Sequence, residues 1–144
     1  MVDTMLIAVS GTSGGLTYQV KSGLDVEGFL SGKLDISGAF EHSELKTRLR
    51  YLDSFSNPYL DLTTRLDTSG NSLIVQFIPD QLIFSYDQWV INLNNRVEIN
   101  PEFIAFHDFD LTGDNQRISI SSYPEENPQN LELKLIDFSM GSIE

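Results

Sequence analysis

Apolar and polar residues alternate along most of this chain with a period of two residues. In the first half, for example, Leu34 and Ile36 flank Asp35. This period is typical of a β-strand that turns one face to a core and the other to solvent. Comparable alternation occurs in residues 33–40, 45–51, 60–66, 89–93, 97–99, 103–111, 118–121 and 131–135.

Residues that favour tight turns separate these runs, at positions 12–15, 67–71, 94–95, 113–115 and 124–128. Gly, Asn, Asp, Ser and Pro predominate there, and they adopt the backbone conformations that turns require. The sequence therefore predicts an all-β fold of about ten to twelve short, mostly antiparallel strands. Segment 44–52 also fits a helical face, but a strand is favoured because its neighbours are strands and no capping box precedes it.

The arrangement of these strands has two interpretations. They can form a curled, open sheet that leaves a groove along its apolar face, or a β-sandwich whose two inner faces pack on each other. Residues 1–144 are expected to be a single β-rich segment of a larger repetitive protein, divisible into sub-units 1–80 and 81–144.

Composition narrows the classes of function. Apolar residues make up 40% of the chain and charged residues 21%, which predicts a folded core. The formal net charge is −12 and the Lys and Arg residues do not cluster, so nucleic acid is not an expected partner. The chain has no cysteine for a disulfide or a zinc site. The apolar run 5–9 is too short for a signal sequence or a membrane span, so we expect either a cytosolic protein or an excerpt of a longer one.

Residues 107–115, with the sequence HDFDLTGDN, resemble part of a calcium-binding loop. Counted from Asp108, however, the fifth position is Thr112 and the twelfth is Ser119, so two oxygen ligands of the template are missing. A turn between strands is therefore favoured, because residues 113–115 are typical turn residues.

Residues 11–15 match the G-x-S-x-G pattern of a hydrolase nucleophile elbow. That motif needs a helix after it, whereas residues 16–20 alternate as a strand, so a hairpin turn is favoured. The two histidines, His42 and His107, have no metal-ligand spacing. No catalytic, cofactor-binding or metal-binding residue is predicted, no cofactor is expected, and the chain is not expected to be an enzyme.

Two stretches echo each other: 106–111 and 135–140 share the pattern apolar, any residue, Asp, Phe, any residue, apolar. Residues 23–38 carry a texture of glycines between alternating apolar residues, and residues 89–99 contain a Trp-led strand followed by a hairpin. From residue 23 onward this pattern resembles the repetitive β-region of TamB-type proteins, the translocation-and-assembly-module subunit, within the AsmA-like group. The resemblance lies in the texture of the strands and not in a set of catalytic residues.

This resemblance implies a non-enzymatic segment of an envelope-spanning β-groove protein in the bacterial periplasm. The full-length protein would be anchored in the inner membrane by a helix that this chain lacks. It would carry lipid between membranes or assist outer-membrane protein assembly. The implied partners are phospholipid acyl chains and outer-membrane assembly proteins. A segment taken from a continuous sheet should have two unpaired edge strands, which predicts edge-to-edge self-association.

The predicted lining of the groove consists of alternating apolar residues from the first half of the chain. These residues are Leu34, Ile36, Phe40, Leu45, Leu49, Tyr51, Leu60, Leu62 and Leu66. The alternative function is a surface-exposed β-sandwich that binds glycan or protein through aromatic residues in its loops. Tyr59, Tyr86 and Tyr123 are the candidates for that role.

Overall fold

A computed structural model of the chain describes residues 2–26, 30–79, 82–123 and 127–137, and the side chains of 5–23, 31–79, 82–122 and 131–137. Thirteen strands and no helix occur in these ranges. The strands are β1 (Val2–Thr12), β2 (Gly15–Val26), β3 (Leu30–Glu41), β4 (Glu44–Asp53), β5 (Pro58–Ser69), β6 (Ser72–Phe77), β7 (Leu82–Phe84), β8 (Asp87–Ile91), β9 (Arg96–Ile99), β10 (Ile104–His107), β11 (Phe109–Gly113), β12 (Gln116–Tyr123) and β13 (Asn127–Ile136).

The first five strands form a meander in which each strand pairs antiparallel with the next. Directly opposite residues in such a ladder share a face, and the register aligns apolar residues across all five strands. One such row consists of Ile7, Val20, Ile36, Leu49 and Leu62. Strand β4 contains segment 44–52, so the prediction of a strand there is confirmed.

At β5 the sheet divides into two branches. The C-terminal half of β5 pairs with β6, from Thr64 opposite Phe77 onward, whereas Leu60 near its N-terminus pairs with Phe84 of β7. The first branch continues through β6, β9 and β10, and the second through β7, β8, β11, β12 and β13. The chain passes from β10 of the first branch to β11 of the second at Asp108, whose φ is 47°.

The buried core lies where the apolar sides of the two branches meet. Phe77 of the first branch contacts Phe109 of the second, edge to face, at a centroid distance of 5.3 Å. Trp89 is 5% exposed and Ile91 is 2% exposed. Full burial of one large apolar side chain stabilises a fold by about 1.5–3 kcal/mol. The buried cluster is Leu82, Trp89, Ile91, Val97 and Phe109.

The predicted fold class is confirmed: the described chain is all β, its strands are mostly antiparallel, and they form one open sheet. Two details differ from the prediction. The described residues contain thirteen strands, because the single run predicted at 103–111 is split at Asp108. Strands β1 to β5 have 10 to 12 residues each and are therefore not short. The pairing of β6 with β9 connects residues of the two expected sub-units, 1–80 and 81–144.

Candidate functional site

All nine residues of the predicted lining lie on one face of the sheet, which we call the apolar face. They form three cross-strand rows: Leu34, Tyr51 and Leu60; Ile36, Leu49 and Leu62; and Phe40, Leu45 and Leu66. Phe40 is 46% exposed, and the other eight are half-buried. The period-two pattern alone was sufficient to bring these residues together, because side chains of one parity share a face.

The apolar face extends beyond the predicted lining. Strands β1 and β2 add Met5, Ile7, Val9 and Leu16, which sequence reasoning did not include. Ile7 and Val9 are 59% and 63% exposed, whereas Trp89 in the core is 5% exposed. The same face is thus covered at the two branches and open to solvent at β1. The apolar run 5–9 and the alternation in residues 16–20 were the signals that could have identified these positions.

The opposite face of the meander carries charged residues, and ion pairs cross its strands. Arg50 of β4 lies 2.9 Å from the carboxylate of Asp35 on β3, and Arg65 of β5 lies 2.9 Å from Glu44 on β4. A slip of one residue would turn these charges to the apolar face, so they help to fix the strand register.

A concavity of the described surface lies on this charged face. It has a volume of about 760 Å³ and is lined by Ala8, Val9, Ser10, Thr17, Tyr18, Gln19, Ser37, Gly38, Ala39, Lys46, Arg48, Thr63 and Ile78. None of the nine predicted lining residues belongs to it. Alternation of side chains defines which face is apolar, but the direction in which a twisted sheet bends depends on the whole set of strands.

An aromatic cluster lies where the β4–β5 loop meets the β7–β8 turn. The ring of Tyr59 is 5.1 Å from Tyr86, 6.2 Å from Tyr51 and 6.4 Å from Phe84, measured between centroids. Phe55 in the same loop is 84% exposed. Two of the three aromatic residues predicted for glycan or protein binding, Tyr59 and Tyr86, are therefore adjacent. The side chain of Tyr123 lies outside those described.

Asp53 connects the two loops of this cluster. Its carboxylate accepts hydrogen bonds from the backbone N–H of Phe55 at 2.9 Å and of Asn57 at 2.8 Å. Partial desolvation raises the pKa of Asp53, but hydrogen bonds from Asn57, Phe55 and the Tyr86 hydroxyl outweigh it and leave the pKa below its ordinary value. Desolvation, followed by the hydrogen bond to Asp53, raises the pKa of Tyr86.

Residues 107–115 form strand ends and a turn. Asp114 and Asn115 form the turn between β11 and β12, which confirms the predicted turn, and Asp110 is bound to Arg117 by hydrogen bonds of 3.0 and 2.9 Å. Within the described residues, no group of three His, Cys, Asp or Glu residues has the arrangement of a metal site. The repeat echo has one structural counterpart: Asp108 and Asp137 both have positive φ, 47° and 54°. Residues 138–140 of the echo lie outside those described.

The G-x-S-x-G segment forms a hairpin, as predicted: Thr12 is paired with Gly15, and the strand β2 follows. The two histidines lie in different parts of the sheet. His42, with a φ of 52°, is in the turn between β3 and β4, and the Nε2 atom of His107 is 3.6 Å from Glu98.

No family model, curated protein or solved structure matches this chain. The described residues contain no helix that is long and apolar enough to span a membrane. The fold and the surface thus define a class of structure: an open, single-sheet all-β protein whose apolar face is covered at one end and exposed at the other.

Proposed function

We propose that this chain is a non-enzymatic segment of a TamB-like envelope protein, located in the bacterial periplasm, that holds phospholipid acyl chains against its apolar face. The observation that carries the proposal is the alignment of aliphatic rows across β1 to β5, with exposure rising toward β1. The full-length protein would be anchored in the inner membrane and carry lipid toward the outer membrane.

The dimensions of the apolar face suit an acyl chain. Five strands spaced about 4.8 Å apart give a width near 24 Å, which is comparable with the length of one extended acyl chain. Each methylene removed from water contributes about 0.8 kcal/mol, so a chain that is half in contact gains several kcal/mol. Since no described element covers the outer strands, such binding is reversible, as a conduit requires.

The first experiment measures binding of an acyl chain that carries an environment-sensitive fluorophore. The test variant combines Leu16→Asn with Phe40→Asn, two paired residues of the apolar face that are 42% and 46% exposed. The matched control combines Thr17→Asn with Ala39→Asn, the neighbouring pair on the opposite face. We expect the test variant to bind at least about tenfold more weakly, because two apolar contacts are lost.

Two results would contradict the proposal. One is that the unaltered protein binds no acyl chain and contains no lipid in native mass spectrometry after purification from bacteria. The other is that the control variant loses as much affinity as the test variant, since binding would then involve the charged face. Outer-membrane assembly proteins are the other partner class implied by the resemblance, and retention of such a protein without lipid would favour that role.

The aromatic cluster favours a second candidate function, the binding of glycan. Exposed tyrosines supply large, rigid and amphipathic contact area with little loss of side-chain entropy. In these two loops Tyr86 is 50% exposed and Phe55 is 84% exposed. Titration with oligosaccharides, followed by NMR, tests this function: Phe55→Ala with Tyr86→Ala should abolish binding, whereas Leu93→Ala, at a distant exposed site, should not.

A further inference from the structure

Strand β1 forms one end of the sheet and presents an open edge. It pairs with β2, and no other described strand pairs with it. Residues 5–12 have the sequence MLIAVSGT, with no charged residue and no proline. Leu6 on one face and Ile7 on the other are 55% and 59% exposed. An edge of this kind is a template for pairing with another chain.

Protective features are absent from this part of β1. Natural edge strands are blocked by lysine, proline, a bulge or short length, but β1 has 11 residues and its one register irregularity lies between Val2 and Met5. Strand β13, at the other end of the sheet, differs because Lys134 and Glu132 form an ion pair on it. The edges at β1 and β13 are thus not equivalent, and β1 is the unprotected one of these two.

The sequence of β1 is complementary to itself. In an antiparallel pair centred on Ile7, Met5 lies opposite Val9 and Leu6 lies opposite Ala8. Directly opposite residues share a face, so the exposed apolar residues of both copies meet on the same side. A shift of one residue would place Ile7 opposite Leu6 and bring apolar and polar faces to the same side.

We infer that the open edge of β1 binds the β1 strand of a second copy of this chain, antiparallel and centred on Ile7. The two meanders then form one ten-stranded sheet with a continuous apolar face. This inference does not rest on lipid binding, because it follows from the open edge of β1 and not from the apolar face of the sheet.

The expected strength follows from the size of the contact. In this register residues 5–9 of the two copies lie opposite each other, so the contact spans about 17 Å with about five backbone hydrogen bonds, and its buried area belongs to the weak, transient class. Each copy carries a net charge of −12, which opposes association at low ionic strength. We expect a dissociation constant of about 1–100 µM that decreases when salt is added.

Sedimentation velocity on the full chain tests the dimer over a concentration series that spans this range. The test variant combines Leu6→Lys with Ala8→Lys, which places like charges opposite each other in both halves of the pair. The control combines Thr17→Lys with Gln19→Lys on β2, which adds the same charge on the interior strand. The test variant should dimerise at least about tenfold more weakly than the control. Circular dichroism checks that both variants retain the β-sheet.

Single cysteines test the register, because the natural chain has none. Opposite Cα atoms in an antiparallel pair are about 4.5–5.5 Å apart, which a disulfide can span. Under mild oxidation, Ile7→Cys should therefore cross-link to itself. Val9→Cys should not, since its two copies would be about 13 Å apart, but it should cross-link when mixed with Met5→Cys.

Three outcomes would overturn the inference: a monomer at all concentrations, cross-linking with equal yield at Ile7→Cys and Val9→Cys, or growth of open-ended oligomers. The last outcome would indicate pairing of β1 with β13 of the next copy, because a head-to-tail contact does not close. The lipid test uses substitutions on β2 and β3, so its outcome is independent of this one.

Discussion

The guanidinium of Arg48 on β4 donates two hydrogen bonds to the carboxylate of Asp61 on β5, from Nε to Oδ1 at 2.9 Å and from Nη2 to Oδ2 at 2.7 Å. Asp61 is 6% exposed, whereas the Arg48 side chain is 38% exposed. The hydrogen bond to Asp61 is the largest of the effects that raise the pKa of Arg48. A bidentate pair of this kind, with a buried carboxylate, fixes geometry more strictly than a single exposed contact.

Loss of this pair should cost more than loss of an exposed one. We expect Asp61→Ala to lower the free energy of unfolding by about 1–3 kcal/mol, because the partly buried guanidinium loses its acceptor. Glu44→Ala breaks the Arg65–Glu44 pair, whose side chains are 45% and 39% exposed, and should cost less than about 1 kcal/mol. Urea unfolding at pH 7 measures both, and equal losses would contradict this ranking.

Acid should weaken the fold partly through Asp110. Hydrogen bonds from Arg117 lower the pKa of Asp110 below its ordinary value of 3.8, and hydrogen bonds from Ser119 and Asn92 reinforce this against partial desolvation. The folded protein therefore binds this proton more weakly than the unfolded chain does. The resulting stability is complete above the unfolded pKa and is lost as the pH falls through the folded pKa.

The measurable consequence is a difference in the pH dependence of unfolding. The gap in free energy of unfolding between the unaltered protein and Asp110→Asn should be largest near neutral pH and should shrink below about pH 4. Arg117→Gln removes the main cause of the lowered pKa and should flatten the dependence in the same way. Parallel pH profiles for all three proteins would show that Asp110 does not contribute.

The indole of Trp89 covers Gly113, and we expect this contact to tolerate no added side chain. A Cβ atom at Gly113 would lie 2.8 Å from Cδ2 of Trp89, which is 5% exposed. Gly113→Ala should therefore lower the free energy of unfolding by about 1–3 kcal/mol. In a double-mutant cycle with Trp89→Leu the two losses should not add. Gly11→Ala is the control, because the nearest atom to its Cβ would be 4.0 Å away.

The apolar face could be predicted from the sequence because it depends on local order alone. Neighbouring strands with the same period, such as those containing Ile36 and Leu49, align automatically once their turns are tight. The division of the sheet at β5 could not be predicted in this way. It depends on which distant strands pair with Leu60 and with Thr64, and such pairings have no local signal.

Two hairpin turns also escaped prediction, at residues 42–43 and 85–86. His42, Ser43, Ser85 and Tyr86 all have positive φ, between 52° and 71°. Hairpins with two such residues usually contain Asn or Gly, which adopt this conformation at low cost. Since neither residue type is present, the composition of these turns gave no signal, and only the alternation on each side indicated strands.

This mismatch leads to a prediction about stability. His42→Asn together with Ser43→Gly should raise the free energy of unfolding by about 0.5–1.5 kcal/mol, because both residues then favour the conformation that the turn requires. Gly70→Ala should have the opposite sign, since Gly70 has a φ of 58°. Thermal unfolding compares the two variants, and a loss of stability in the first would contradict the assignment of strain to this turn.

Asn95 is fully buried, and its side-chain amide pairs with the backbone of Phe77 at the end of β6 as a neighbouring strand would. Its Oδ1 atom accepts a hydrogen bond from the Phe77 N–H at 2.8 Å, and its Nδ2 group donates to the Phe77 carbonyl at 2.8 Å and to the carbonyl of Asn92. The side chain thus ties the β8–β9 connection to the first branch. Removal of these bonds leaves the N–H and the carbonyl of Phe77 without this partner in a half-buried position.

We expect Asn95→Ala to lower the free energy of unfolding by about 2–4 kcal/mol at pH 7. Gln76→Ala is the matched control: its Nε2 group donates to the carbonyl of Leu93 in the same connection at 2.9 Å, but at an exposed position, so its loss should stay below about 1 kcal/mol. Asn95→Asp should be destabilised at pH 7 and should recover as the pH falls toward 5, because a protonated carboxyl donates a hydrogen bond where an anion cannot. Urea unfolding at both pH values measures these effects. If Asn95→Ala lost no more than Gln76→Ala, the buried amide would not be what holds the connection to β6.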